Sequence, residues 1–179
     1  MKKKIVFVLC MVISIAMLLL SFSYAAAPAK DKIRIGWVTS LSGPYASGVP
    51  GTYGMVYDLW IEEVNAKGGI YVKEYGKRLP LEVIKYDDKS DVGNMTKLLE
   101  KTILEDKVDL IFAPWGTAML YAAAPIATKH KYILLGGPGS ALKLKEIIDK
   151  VPYFFSVLNM ADTQIASLAG ILSEVKVKK

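Results

Sequence analysis

The sequence predicts an α/β protein built on a doubly wound parallel sheet with helices on both faces. Short apolar runs rich in β-forming residues alternate along the chain with longer segments in which apolar residues recur at helical spacing. Polar turns that contain glycine, proline or serine separate the two kinds of segment. Because regular alternation of strands and helices is typical of βαβ units, we expect parallel strands joined by helical crossovers.

Five segments have the composition of β-strands. The first alternates polar and apolar residues, whereas the third and fourth are nearly continuous apolar runs that stop at Pro114 and at a glycine-rich turn. The predicted strands are residues 33–38, 79–86, 110–113, 132–135 and 153–157.

Helical periodicity predicts five helices, at residues 52–67, 92–105, 118–129, 142–148 and 161–174. Asp91 is placed to cap the second helix. In the last helix, Leu168, Ile171 and Leu172 share one face, and we expect that face to point into the core. Residues 71–77 are interpreted as a polar excursion without regular structure.

Residues 1–25 have the layout of a secretory signal peptide. A run of lysines is followed by an uncharged apolar stretch and then by small residues, with Ser23 and Ala25 suited to the −3 and −1 positions of a cleavage site. We therefore expect cleavage after Ala25, the alternative being an uncleaved membrane anchor. Cleavage would remove three lysines and no acidic residue, which leaves a mild positive charge. No basic patch with interleaved aromatic residues is present, so no nucleic-acid partner is expected.

The sequence offers little for redox, metal or nucleophilic chemistry. Cys10 is the only cysteine and lies in the segment that cleavage would remove, and His130 is the only histidine. We expect no disulfide, no metal site, no cofactor and no Ser-His-Asp triad. Neither the dinucleotide-binding nor the P-loop glycine pattern occurs, so nucleotide binding is unsupported.

Polar turns follow the first four predicted strands, and in a parallel sheet these turns meet at the carboxyl edge, where ligands bind in open α/β folds. Free N–H groups at helix N-termini favour an anion there, such as a carboxylate or a phosphate. The candidate residues are the hydroxyls of Ser42, Ser47, Thr117 and Ser140 and the aromatic walls Tyr45 and Trp115.

Each candidate also has a purely structural explanation. Thr117 could cap the following helix, a role compatible with binding. Trp115 could belong to the core. Asp87 and Asp88 resemble a catalytic or metal pair, but we expect one to cap a helix and the other to be solvated, because two acids without a third ligand make a poor metal site.

Several short motifs, which follow one another along the chain, add a family resemblance to the predicted ligand site. The sequence has SLSGPYA at residues 40–46, VNAKGGI at 64–70, YDD at 86–88, and PWGT at 114–117 followed by APIA at 124–127. This set resembles the amino-terminal lobe of the Leu/Ile/Val-type periplasmic binding proteins, the receptors of branched-chain amino-acid ABC transporters. The resemblance covers about residues 32–174.

The resemblance implies two flavodoxin-like lobes, joined by a hinge, that close on a small ligand. It implies that the first lobe holds the ligand's carboxylate through hydroxyl and backbone N–H groups, with the loop of Ser42, Tyr45 and Ser47 lining the cleft. By position, the carboxylate-binding residues would be Trp115, Gly116, Thr117, Ala118, Gly139, Ser140 and Ala141. Many relatives have a serine run where this chain has Trp115 to Ala118, which suggests a larger, aromatic or amide ligand.

The expected organisation is a signal peptide at 1–25, one ligand-binding lobe at 26–174 and a truncated hinge crossover at 175–179. The family's second lobe is absent from the sequence, so we expect weak ligand binding by this lobe alone. The leading hypothesis is a periplasmic or secreted solute-binding receptor, not an enzyme, that delivers an amino acid or amide-like ligand to a membrane permease. The alternatives are a ligand-sensing ectodomain of a signalling receptor and an enzyme on the same fold. The enzyme would need a catalytic base, for which His130 is badly placed and Asp87 and Asp88 lack partners.

Overall fold

The computed structural model describes residues 30–137, 139–158 and 160–175. The predicted signal peptide and residues 176–179 of the predicted hinge crossover lie outside the described residues. Seven strands are present in the described part: β1 Ile33–Thr39, β2 Ile70–Val72, β3 Lys77–Leu79, β4 Leu81–Asp87, β5 Leu110–Phe112, β6 Leu134–Gly136 and β7 Phe154–Ser156.

Four α-helices accompany the strands of the described part: α1 Met55–Ala66, α2 Val92–Leu104, α3 Thr117–His130 and α4 Ala161–Glu174. A π-helical turn, Pro50–Gly54, leads into α1. Three 3-10 turns, Lys73–Tyr75, Leu142–Glu146 and Ile148–Lys150, complete the helical structure. Asp91 caps α2 as predicted, because its side chain accepts a 2.6 Å hydrogen bond from the Asn94 N–H.

The central sheet has the predicted parallel, doubly wound form. β1 pairs in parallel with β4 on one side and with β5 on the other. β6 pairs in parallel with β7, and β6 lies beside β5. β4, β1 and β5 form one hydrogen-bonded sheet, and β6 and β7 form a two-stranded sheet beside β5. The resulting spatial order β4-β1-β5-β6-β7 is flavodoxin-like, because the order of the strands reverses at β1. The loops after β1, β4, β5 and β6 therefore reach the same edge.

The main core lies between the sheet and the pair α2 and α3. Met95 and Leu99 of α2 and Met119 and Leu120 of α3 are fully buried against apolar side chains of β5, β6 and β7. Gly36 in β1 allows α2 to approach closely, since a β-carbon there would overlap the methyl group of Thr102. This face of the sheet is closed in the way that the helical periodicity predicted.

The opposite face is covered by α1 through an aromatic cluster. The rings of Trp37 and Phe112 lie 5.8 Å apart, and the ring of Tyr57 lies 4.4 Å from Phe112. No residue of α1 is fully buried, and the side chains of Met55 and Leu59 are largely exposed. This helix therefore covers the sheet only in part.

Three predicted segments differ from the structure. Residues 71–77, expected to lack regular structure, contain parts of an antiparallel hairpin formed by β2 and β3, with Gly76 in the left-handed region. The predicted strand 79–86 is divided at Pro80, which has no N–H for a ladder. The predicted helix at 142–148 is instead the two 3-10 turns.

The last helix spans the predicted residues 161–174, but the prediction that its apolar face points into the core was wrong. In α4, Leu168, Ile171 and Leu172 are 56%, 58% and 49% exposed, and no residue of the helix is fully buried. The helix is joined to the fold near its start, where the Ala161 N–H donates to the Ser140 carbonyl at 2.8 Å. Periodicity identifies residues that share a face, but it does not supply the surface that the face packs against.

Within the described residues, no helix combines the length and the apolar character needed to cross a membrane.

We expect opposite outcomes from two leucine substitutions. Leu120→Ala removes a fully buried side chain from the core, so it should lower the free energy of unfolding by about 2–5 kcal/mol. Leu168→Ala removes an exposed side chain of α4 and should change it by less than about 0.5 kcal/mol. Urea denaturation followed by circular dichroism measures both, and an equal cost for the two would show that α4 is packed in solution.

Candidate functional site

The loops after β1 and β5 meet through Trp115 at the carboxyl edge. The indole Nε1 of Trp115 donates a 3.0 Å hydrogen bond to Thr52 Oγ1. The ring of Tyr45 lies 5.4 Å from the ring of Trp115, tilted by 47°. Gly48 lies against the indole so closely that a β-carbon would overlap it. Trp115 is only partly buried, so it is a wall of this edge rather than a core residue.

The N-terminus of α3 follows directly after Trp115. Gly116 precedes the helix with φ of 95° and ψ of 153°, and no side chain caps the helix. Its first intrahelical bond runs from the Leu120 N–H to the Gly116 carbonyl at 3.0 Å. The earlier N–H groups of the helix, at Thr117, Ala118 and Met119, have no partner among the described residues. The interpretation of Thr117 as the helix cap was therefore wrong, because Gly116 occupies the cap position.

The loop after β6 packs against Thr117. A β-carbon on the buried Gly139 would lie 3.1 Å from Thr117 Cα, so glycine allows the two loops to touch. The Ala141 N–H donates to Thr117 Oγ1 at 3.4 Å. The Ser140 carbonyl accepts the bond from α4 described above. Thr117, Gly139, Ser140 and Ala141 are thus brought together, as the sequence predicted.

Asp87 fixes the first loop to the end of β4. Its Oδ2 accepts a 2.6 Å bond from Ser42 Oγ, and its Oδ1 accepts bonds from the N–H groups of Leu41, Ser42 and Lys89 at 2.9, 3.1 and 2.9 Å. These donors, the Ser42 hydroxyl first, lower the pKa of the Asp87 carboxyl. The hydroxyl of Ser42 is consequently engaged within the protein, whereas Ser47, further along the loop, is exposed.

Asp88 is buried beneath the same loop. Its Oδ1 accepts bonds from Ser40 Oγ and from the Ser90 N–H, each at 2.7 Å, and its Oδ2 has no partner among the described residues. Burial raises the pKa of this carboxyl. The expectation that one acid caps a helix and the other is solvated was wrong. Asp87 holds a loop and Asp88 is internal, a distinction that two adjacent acids in a sequence do not reveal.

Two nearby cavities are lined by residues outside the predicted set. One, of about 230 Å³, lies on the α1 side below the first loop and includes Trp37, Ser40 and Val49 in its lining. The other is a groove beside β4. No group of three or more His, Cys, Asp or Glu residues in the described ranges could hold a metal ion. The predicted residues thus form a surface at the carboxyl edge, with aromatic walls beside free N–H groups.

In open α/β folds such as this one, small molecules bind outside the carboxyl ends of the strands, where these loops lie. The model of the periplasmic binding protein family matches residues 32–179, so the chain belongs to that family. The family and the similar structures are solute-binding proteins, and the family implies a location outside the cytoplasm.

Three solved structures illustrate the similarity. One is the branched-chain amino acid transporter substrate-binding protein LivJ from Streptococcus pneumoniae in complex with isoleucine, with 24% identity over 73% of this chain and 34% of the other, and a TM-score of 0.59. The second is a solute-binding protein of an ABC transporter from Rhodopseudomonas palustris in complex with 3,4-dihydroxybenzoic acid, with 26% identity over 73% and 33%, and a TM-score of 0.56.

The third is the leucine-binding protein LivK from Thermotoga maritima, with 16% identity over 78% of this chain and 36% of the other, and a TM-score of 0.61. The chain thus spans about a third of the length of these structures. Membership of the periplasmic binding protein family is thus confirmed. The branched-chain amino-acid type stays a prediction, because the similar structures include one bound to isoleucine and one bound to 3,4-dihydroxybenzoic acid.

The two adjacent acids should affect the pH dependence of stability in opposite directions. The pKa of Asp88 is raised in the folded state, so its contribution to the free energy of unfolding falls as pH rises from the unfolded pKa through the raised folded pKa. The pKa of Asp87 is lowered, so its contribution is present above the unfolded pKa and is lost as pH falls through the folded pKa.

Urea denaturation between about pH 3 and pH 8 measures both trends. Asp88→Asn should remove the loss of stability on raising the pH, and Asp87→Asn should remove the loss on acidification and lower stability at neutral pH. Identical pH profiles for the two variants would contradict the different environments of the two carboxyls.

Gly48→Ala should displace the indole of Trp115. The added methyl group overlaps the ring, so we expect the Trp115 indole N–H resonance to move and the free energy of unfolding to fall by about 1–3 kcal/mol. Gly51→Ala is the matched control, because a β-carbon at Gly51 meets nothing within 4 Å. A Trp115 resonance that is unchanged in Gly48→Ala would place the indole elsewhere in solution.

Proposed function

We propose that this chain supplies one wall of the ligand site of a solute-binding receptor that delivers a small carboxylate to an ABC permease. The observation that carries the proposal is the uncapped N-terminus of α3, which lies between the aromatic wall of Trp115 and the loop of Ser140. Family membership supports the transport role.

The N-terminus of α3 favours an anionic ligand group. The N–H groups of Thr117 and Ala118 are free within the described residues, and the helix dipole places partial positive charge there. Gly116 has no side chain and Ala118 has only a methyl group, so a ligand oxygen has room to approach the backbone. The Thr117 hydroxyl, which accepts a long bond from the Ala141 N–H, is available to donate to the same oxygen.

The neighbouring wall favours a ligand with an aromatic ring. Tyr45 and Trp115 present two tilted rings next to the free N–H groups, and such rings bind a planar apolar group by stacking or edge contacts. One similar structure is bound to 3,4-dihydroxybenzoic acid, a ligand that combines a carboxylate with a planar aromatic ring. An aromatic carboxylate is therefore our first choice, and an amino acid or amide is the alternative to be compared with it.

A single wall should bind weakly. The residues named above contact a ligand from one side, and the chain spans about a third of the two-lobed structures that it resembles. Lobe closure normally supplies the remaining contacts and excludes water. Affinity in the millimolar range is the expected result for this chain.

Titration followed by ¹H–¹⁵N NMR tests the proposal. We expect 3,4-dihydroxybenzoate, up to about 10 mM, to shift the Thr117 and Ala118 amides and the Trp115 indole N–H, and L-isoleucine to shift the indole less. Trp115→Ala and Thr117→Val should each weaken binding of the aromatic acid by about tenfold, or about 1.4 kcal/mol.

Thr128→Val, near the opposite end of α3 and about 16 Å along the helix from Thr117, is the control and should leave the titration unchanged. If neither compound shifts these resonances, the proposed site is wrong. Micromolar or tighter binding would contradict the argument that one wall binds weakly.

A further inference from the structure

The outer edge of β4 contains a short gap in backbone hydrogen bonding. Among the described strands, β4 is terminal in its sheet and pairs with β1. In a strand, the N–H and C=O groups of one residue point to the same side, and successive residues point to opposite sides. The carbonyl of Pro80 accepts a bond from the Ile33 N–H of β1. The odd-numbered residues of β4 therefore direct their backbone groups away from the sheet.

Two asparagine side chains close the ends of this outer edge. Asn65 accepts from the Leu81 N–H at 2.7 Å and donates to the Leu81 carbonyl at 3.0 Å, as a neighbouring strand would. Asn94 Nδ2 donates to the Asp87 carbonyl at 3.3 Å. The outward groups of Val83 and Lys85 have no partner in the described part of the chain. The open stretch thus consists of these two residues and is followed by the Asp87 N–H, which also has no partner in the described part of the chain.

A groove of about 670 Å³ lies beside this gap, between α1 and β4. Its lining consists of apolar and charged side chains and one amide from the two elements: Met55, Asp58, Leu59, Ile61, Glu62, Asn65, Val83 and Lys85. Met55 and Leu59 are 66% and 57% exposed, so the α1 side of the groove presents apolar surface to solvent.

The positive charge in the groove is already compensated. Lys85 Nζ donates to Asp58 at 3.0 Å and lies 4.3 Å from the centre of the Trp37 ring. Covering Lys85 with another chain therefore does not bury an unpaired charge.

We propose that a second copy of this chain covers the groove through antiparallel pairing of β4 with the β4 of that copy, about a two-fold axis at Ile84. In this register, Val83 of each copy lies opposite Lys85 of the other. Each such pair exchanges two hydrogen bonds, so every free outward group of the gap receives a partner.

The gap is its own complement, which favours a second copy over an unrelated peptide. Val83 and Lys85 have free outward groups and flank Ile84, whose backbone groups face β1, so the stretch can pair with an identical stretch under two-fold symmetry. The pairing ends at the residues that Asn65 and Asn94 contact. Val83 and Lys85 carry their side chains on the α1 face. The same approach therefore brings the two α1 helices together on one side of the joined sheet, where Met55 and Leu59 of both copies become covered.

Analytical ultracentrifugation of the purified chain, from about 1 µM to about 1 mM, tests the proposal. We expect a monomer–dimer equilibrium. Val83→Pro removes an outward N–H without removing a bond to β1, and Leu59→Lys places like charges across the axis. Each should raise the dimer dissociation constant by at least about tenfold. Val56→Lys is the matched control: Val56 is 61% exposed on α1 but does not line the groove.

Amide hydrogen exchange gives a second readout that is specific for the register. The N–H groups of Val83 and Lys85 should become protected in the dimer, whereas that of Leu81 should be protected in the monomer already, because Asn65 accepts its bond. A chain that remains monomeric across the range overturns the proposal. So does a dimer that neither variant weakens, or one in which Val83 and Lys85 exchange as fast as in the monomer.

Discussion

The position of β1 between β4 and β5 is the constraint on which the rest of the structure depends. From Ile35 to Thr39 the strand is buried. Its parallel pairing on both sides brings the ends of β1, β4 and β5 to one edge. The close approach of α2 to Gly36 fixes one face of this strand, and the aromatic cluster around Trp37 covers the other. Every loop of the candidate site begins from a strand held in this way.

Polar contacts then shape the edge that the strands create. Asp87 binds four donors and keeps the first loop close to the end of β4, and the buried Asp88 supports the same loop from below. Trp115 rests on that loop through Thr52 and Gly48. The N–H groups at the start of α3 have no partner in the part of the chain that the structure describes, and free donors at a helix N-terminus favour an anion.

The two faces of the sheet differ in how completely they are closed. The face under α2 and α3 is closed by fully buried apolar residues. On the other face, α1 contributes no fully buried residue. The apolar stripe of α4 is likewise exposed to solvent. Exposed apolar surface of this extent is typical of interaction sites. The outer edge of β4 adds unpaired backbone groups to such a surface. Another polypeptide that covers this surface would therefore be positioned by hydrogen bonds to β4.

The sequence by itself determined the strand and helix order, the parallel class of the sheet and the loops that reach its carboxyl edge. Local signals decide these features: hydrophobic periodicity for the elements, Asp91 for the start of α2, and turn residues for the loops. The motif set also pointed to the periplasmic binding proteins, and the family match confirms that broader family but not the branched-chain amino-acid type.

Only the tertiary structure decided which partner each side chain meets. Asp87 and Asp88 are adjacent acids in the sequence, yet one receives four hydrogen bonds at the surface and the other is buried. The face of Leu168 is apolar but lacks a packing surface within the fold. Nothing in the sequence distinguishes Asn65 from other residues near the end of a helix, but its side chain bonds both the N–H and the carbonyl of Leu81. These outcomes depend on contacts between residues distant in sequence, and neither periodicity nor local propensity encodes such contacts.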